Sequence, residues 1–151
     1  MPHSRWNELP VAELRSAGYA ILSSSPESGA DLFVKQRRSL HLFFQGHPEY
    51  ERTTLFKEYR RDVSRFLGGE QSSYPPLPCR YFSAEAAAAL REFQDRALSR
   101  RTAELLADFP ASAAAGAQSS WRPAALAMYR NWLALLANAK AAAVTAVQAQ
   151  V

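Results

Sequence analysis

The apolar positions of this chain follow a few distinct rhythms, and each rhythm predicts an element. Leu40, Leu42, Phe43 and Phe44 form a brief run that stops at Gly46, with the length and β-friendly content of a strand buried on both faces. Upstream, Tyr19 to Ser23 and Asp31 to Lys35 read as two strands joined by S-S-P-E-S-G, so a hairpin feeds the strand that ends at Gly46. Before the hairpin, Pro10 to Ser16 reads as a short helix: proline suits a first turn, Val11 and Leu14 are three apart, and Gly18 follows as a stop.

Downstream the period changes to that of a helix. Leu55, Tyr59, Val63 and Phe66 share one face of a helix capped by Thr53 or Thr54, running to about Leu67 and ended by Gly68-Gly69; Lys57, Arg61, Asp62 and Arg65 take the opposite face. Ser72 to Pro78 is proline-rich and extended. Residues 83–109 then form an amphipathic helix, broken once, in which Ser83 caps, Ala86, Leu90, Phe93 and Ala97 mark the apolar face, and Leu105 and Phe109 continue it. Residues 110–119, rich in Ala, Ser and Gly, read as a flexible linker. Pro123 opens a last helix whose stripe Leu126, Tyr129, Leu133, Leu136 should pack on the sheet or on another subunit, as in a homodimer, and beyond Ala139 the Ala-, Val- and Gln-rich tail should fray or form weak helix.

Composition narrows the class. A chain of 151 residues with 48% hydrophobic content can bury one ordinary core. The formal charge of +4 comes largely from arginines, several in separate pairs, Arg37-Arg38, Arg60-Arg61 and Arg100-Arg101. Such pairs suit either a solvated surface or the phosphates of a nucleotide-bearing cosubstrate or of nucleic acid. Aromatic residues sit at core spacing and are not interleaved with the arginines, which counts against nucleic-acid binding. Cys79 is the single cysteine, so no disulfide closes within these residues. No charged start followed by an apolar run and no membrane-length apolar stretch is present, which makes the expected location the cytoplasm.

Candidate chemistry begins where the strand stops. In open α/β sheets the working residues lie just beyond the carboxyl ends of strands, and here the exit reads His47-Pro48-Glu49. A residue before proline is pushed to an extended backbone, and in an extended tripeptide His47 and Glu49 point the same way. A carboxylate beside an imidazole holds the ring's tautomer and stabilises the imidazolium formed when it takes a proton. The same triplet also reads as two residues capping a loop. The three histidines and nearby acids have no metal-ligand spacing.

Several ordered segments extend the argument: P-H-S-R-W at positions 2–6, G-H-P-E-Y at 46–50, T-L-x-x-E-Y-x-R-D-V from Thr54 to Val63, Y-F at 81–82, S-W-R at 120–122 and N-W-L at 131–133. Together they resemble the homoserine O-acyltransferase family, the transsuccinylases and transacetylases of methionine synthesis, over most of residues 1–82 and about 120–138. H-P-E alone also looks like the class I glutamine amidotransferases, which share the fold. The resemblance implies an α/β fold, the C-terminal half of a glutamine amidotransferase-like (flavodoxin-like) three-layer arrangement, with 83–109 as an inserted helix, 110–119 as a linker and 120–151 as a C-terminal helix.

It also implies roles. His47 would be the general base and Glu49 its orienting carboxylate, while Ser4 and Arg61 would hold L-homoserine; Arg60 sits beside Arg61, and the ungapped count from Glu49 selects the latter. Acyl-CoA, with a succinyl or an acetyl group, would be cosubstrate, with no resident cofactor, no metal, no nucleic acid and no membrane. Only the later half of a longer enzyme is matched, so the acyl-accepting cysteine would lie upstream of Met1, and Cys79, flanked by Pro78 and Arg80, is not its counterpart. The expectation is a truncated form, inactive alone, whose missing N-terminal half acts in cis or in trans. The alternatives are a non-catalytic remnant and an amidotransferase-like fragment.

Overall fold

The structure, a computed structural model, describes residues 1–5 and 7–148, with side chains up to residue 142. Trp6 of the P-H-S-R-W motif and the last residues of the tail, 149–151, lie outside the described residues. The chain runs α1 (Val11–Ser16), β1 (Ala20–Ser25), β2 (Gly29–Gln36), β3 (Leu40–Phe44), α2 (Thr54–Leu67), α3 (Ala84–Ser99), two 3-10 helices (Ala103–Asp108 and Ala111–Gly116) and α4 (Arg122–Gln148).

The sheet has order β1-β2-β3 with both pairings antiparallel, Ile21 facing Phe33 and Phe33 facing Phe43. The predicted hairpin therefore forms. Its cross-strand register places Tyr19, Phe33 and Phe43 together, the last two rings stacked at 5.4 Å, over Leu14 of α1 and Ala30. Short loops join all three strands, and a short loop permits only antiparallel neighbours.

The strand expected to be buried on both faces is an edge strand instead: Leu40 and Phe43 are exposed and only Leu42 and Phe44 are half-buried. It pairs with β2 alone, and its outer edge has no partner strand among the described residues. An apolar run records burial that some structure must supply, and among the described residues Met128, Tyr129 and Trp132 of α4 line a pocket with Leu40, Leu42 and Phe44 and do not bury the strand.

Most of the core is helical. Phe56, Tyr59, Val63 and Phe66 of α2 meet Leu90, Phe93 and Ala97 of α3, with Tyr81, Phe82 and Phe109 filling the space between them. All four residues predicted for the apolar face of α3 are buried, and Phe93 touches Phe109 edge-on at 5.2 Å. Ser83 caps α3 as expected, accepting from the Ala86 N–H at 3.2 Å. The helix ends at Arg100, and after a break the chain continues as a 3-10 turn to Asp108.

The N-terminus of α2 is capped differently. Neither threonine supplies the cap, since Thr53 makes no side-chain cap bond. The Tyr81 hydroxyl does so from across the core, accepting from the Phe56 N–H at 3.2 Å while donating to the Arg52 carbonyl oxygen. Arg80 in the left-handed region, φ 54°, makes the turn that leads into Tyr81 and Phe82.

Residues 110–119, read from composition as a linker, are packed. Ala113 and Ala117 are buried, Ala117 bridges to Phe82, and the Ser83 N–H donates to the Gly116 carbonyl oxygen at 2.8 Å. A Cβ on Gly116 would come within 2.6 Å of Ala86 Cβ and Ser83 Oγ. Small residues are required here by close approach to α3, and small residues in a sequence look like a linker.

In α4 only Ala125 is buried among the described residues; Leu126, Tyr129, Leu133 and Leu136 are all exposed, so the stripe is not closed over among those residues, although Tyr129 lines a pocket with Met128, Trp132 and β3. The tail, expected to fray or form weak helix, is helical through Gln148, consistent with the high helix propensity of alanine. None of the described helices is long and apolar enough to cross a membrane.

The Tyr81 cap can be tested. Tyr81→Phe keeps the ring and strands the Phe56 N–H and Arg52 C=O, so urea denaturation should show a loss of about 1–3 kcal/mol. An unchanged midpoint rejects the cap.

Candidate active site

The site lies on the step between β3 and α2. Pro48 and Glu49 are the central residues of a turn, with the Tyr50 N–H reaching back to the His47 carbonyl oxygen at 3.4 Å. The tripeptide is thus not extended as expected: proline's fixed φ suits the second position of a β-turn and brings the ends of the turn together. The outcome for the side chains still matches the expectation. His47 Nδ1 lies 2.8 Å from Glu49 Oε1. A carboxylate can only accept, so Nδ1 is the donor in this contact, and in the neutral ring Nε2 then holds the lone pair.

The turn adds a residue that the reading of the sequence passed over. Tyr50, at the turn's last position, lays its ring on His47 with centroids 4.2 Å apart and planes 20° from parallel. Its hydroxyl donates to Glu58 Oε1 at 2.8 Å and also meets the Ser4 side chain. Burial, then the Glu58 carboxylate, pushes the Tyr50 hydroxyl up to about 12, so the phenol stays protonated and can act as that donor. Tyr50 thereby connects three predicted site residues, His47 and Glu49 through the turn and Ser4 through its hydroxyl. Both Tyr50 and Glu58 belong to the motif segments G-H-P-E-Y and T-L-x-x-E-Y-x-R-D-V, and a tyrosine fixed beside a proline turn is the signal that could find the first of them.

Arg61 is one turn of α2 beyond Glu58, close enough that Glu58 and Tyr50 both favour its charge. The strongest influence on it is Asp62, whose carboxylate accepts from Arg61 Nε at 2.9 Å and from an Nη at 3.3 Å. The fork expected to grip a substrate carboxylate is therefore engaged by a neighbouring one. The pair is half-exposed, and an exposed pair of this kind is worth at most about 1 kcal/mol, which an incoming carboxylate can displace.

Beside Glu49 a groove of about 540 Å³ is lined by Pro48 to Thr53 on one side and by Arg122, Ala125, Leu126 and Tyr129 of α4 on the other. Arg52 on its wall is committed elsewhere, its guanidinium donating to the Ala115 carbonyl oxygen at 3.1 Å and more weakly to those of Ala114 and Ala117. Cys79 is exposed, and the ring partners of His47 among the described residues are Glu49 and Tyr50. No three His, Cys, Asp or Glu among the described residues are grouped as metal ligands.

The geometry defines a class of site first: a histidine ring held by a carboxylate, beside a groove at the end of a strand. The comparisons then give the family. The family model for homoserine O-succinyltransferase matches residues 1–142. Proteins with that name from Methylorubrum extorquens and Rhodopseudomonas palustris are 45% and 42% identical over 139 residues, 91% of this chain and 42% of theirs. One from Bradyrhizobium japonicum is 41% identical over 138 residues, with the same coverage. No solved structure matches. The chain belongs to the homoserine O-succinyltransferase family and spans about two-fifths of the length of these relatives.

A second histidine makes a prediction about pH. Burial holds the His3 pKa below its ordinary 6.5; Asp31 opposes this, and Arg5 and the Met1 ammonium reinforce it. The unfolded chain then binds the proton more tightly than the folded one. Stability should be full above pH 6.5 and should decline as pH falls from there through the lowered folded-state value. His3→Gln should flatten that limb in urea denaturation curves taken across the range; an unchanged slope rejects the assignment.

Proposed function

We propose that this chain carries the base and the amino-acid site of an acyltransferase that moves a succinyl group from succinyl-CoA to the γ-hydroxyl of L-homoserine in methionine synthesis. The observation that carries the reading is the 2.8 Å contact between His47 Nδ1 and Glu49 Oε1, which leaves Nε2 as the proton acceptor. A cysteine thiolate takes the acyl group with loss of CoA as a thiol, and the homoserine hydroxyl then attacks the thioester and releases the cysteine. His47 takes the proton from the thiol and passes it to the departing CoA sulfur, then takes the hydroxyl proton and returns it to the released cysteine sulfur. Glu49 holds the ring in the tautomer this requires.

Arg61, after release from Asp62, meets the homoserine carboxylate, and Ser4 bonds the polar end of the amino acid. Tyr50 keeps Ser4 in line with the imidazole. The thioester already carries the activated acyl group, so the reaction calls for no resident cofactor. Cys79, an exposed residue without contact to His47, does not fit the nucleophile; that residue is assigned to a segment outside these 151 residues, acting in cis or in trans. Such a segment would also complete the sheet beside β3, as in a glutamine amidotransferase-like arrangement, and a reaction that draws on acyl-CoA would run in the cytoplasm. Acetyl-CoA remains the alternative donor to be compared.

The test is CoA release. Residues 1–151 alone, given succinyl-CoA and homoserine, should release none above background. Supplied with the preceding segment of the Methylorubrum extorquens relative, fused or added, the chain should release CoA. His47→Ala should then lower kcat by about 10²–10⁴, and Arg61→Ala should raise KM for homoserine by about 10-fold or more with a smaller effect on kcat. Full turnover in the His47 variant overturns the proposal, as does turnover by the chain alone that Cys79→Ser abolishes.

A further inference from the structure

The segment 2–5 is tied across the end of the sheet at two places. At one, the His47 N–H donates to the Pro2 carbonyl oxygen at 2.8 Å. At the other, the Arg5 guanidinium donates to the carbonyl oxygens of Ser28 and Ala30 and to Gln45 Oε1. Between these ties His3 Nε2 lies 3.2 Å from Asp31 Oδ1, with the side chains only 14% and 11% exposed.

The pair sits directly beneath Gly46. A Cβ added to Gly46 would overlap Asp31 Oδ1 and stand 3.2 Å from His3 Nε2, so no side chain fits there and the backbone rests on the two polar groups. The Asp31 carbonyl oxygen also accepts from the Gln45 N–H at 2.8 Å, and Asp31 Oδ2 accepts from Ser23 Oγ at 3.5 Å. His3 Nε2 and Asp31 Oδ1 are buried facing each other off hydrogen-bond geometry, and His3 Nδ1 is buried without a hydrogen-bond partner among the described residues. Burying such a pair is costly, and an apolar pair of similar volume would fill the space at lower cost.

We propose that His3 and Asp31 are a positioning pair for His47: by seating Gly46 they fix where the next residue leaves the strand, and so where its ring meets Glu49. Neither residue touches substrate. The inference rests on His47 being the base, and it gives the buried pair a reason, because a misplacement of about 1 Å at a reacting group can cost on the order of 10² in rate.

Solution NMR on residues 1–151 tests this without turnover, so its failure is distinct from failure of the acyl-transfer reading. In Asp31→Ala and in His3→Ala the backbone amide of His47 should exchange at least about tenfold faster, and the Nδ1 proton signal facing Glu49 should broaden and shift. The amides of Leu90 and Phe93, in the helical core, should keep their protection. Asp31→Asn, which keeps the shape and an acceptor beneath Gly46, should restore both His47 signals. The proposal is overturned if His47 is unchanged in the two alanine variants, if Leu90 and Phe93 lose protection to the same extent, or if asparagine fails to rescue.

Discussion

Proline at position 48 imposes the constraint on which the site depends. Its ring sets φ at the second position of the turn, the turn closes between His47 and Tyr50, and closure brings two aromatic rings face to face 4.2 Å apart. Glu49, at the turn's third position, is left free to reach back to Nδ1. Imidazole, carboxylate and stacking ring are thus consecutive or nearly so, and their mutual geometry is a local property of the four residues 47–50. Local geometry alone does not aim them.

Aim comes from the two cores on either side. On the sheet side a small aromatic cluster over α1 holds the hairpin, and β2 carries Asp31 to a point under Gly46. On the helical side Tyr81 clasps Arg52 and Phe56, and Arg52 in turn clasps the end of the second 3-10 helix. The step from β3 to α2 is therefore anchored at both ends, to packing that differs in kind. A junction between such bodies is where grooves form, and the groove beside Glu49 is walled by this step and by α4.

Legibility in the sequence followed the range of each interaction. The faces of α2 and α3 were readable because burial repeats with the helical period, and every residue predicted for α3 is buried. The hairpin was readable from its turn-forming loop. Three readings failed for a shared reason: each took a local pattern to report a surrounding that it does not contain. The run from Leu40 to Phe44 proved an exposed edge, threonines at a helix start yielded their capping role to Tyr81 from across the core, and the alanines of 110–119 are packed against α3. Tyr50 was passed over because its role needs a turn and a helix seen together.

What the sequence determined by itself was the order of elements, the apolar face of each core helix, and the identity of the pair at the strand's exit, since all of these rest on spacings of a few residues. Tertiary structure alone decided that Tyr50 joins Ser4 and Glu58 to the imidazole, that Asp62 occupies the Arg61 fork, and that His3 and Asp31 lie under Gly46. Those contacts join residues whose separation along the chain, as between His3 and Asp31, is set by the folding of a sheet, or whose pairing, as between Arg61 and Asp62, is chosen among rotamers. Periodicity carries information about which face is buried; it carries none about which polar group will stand opposite.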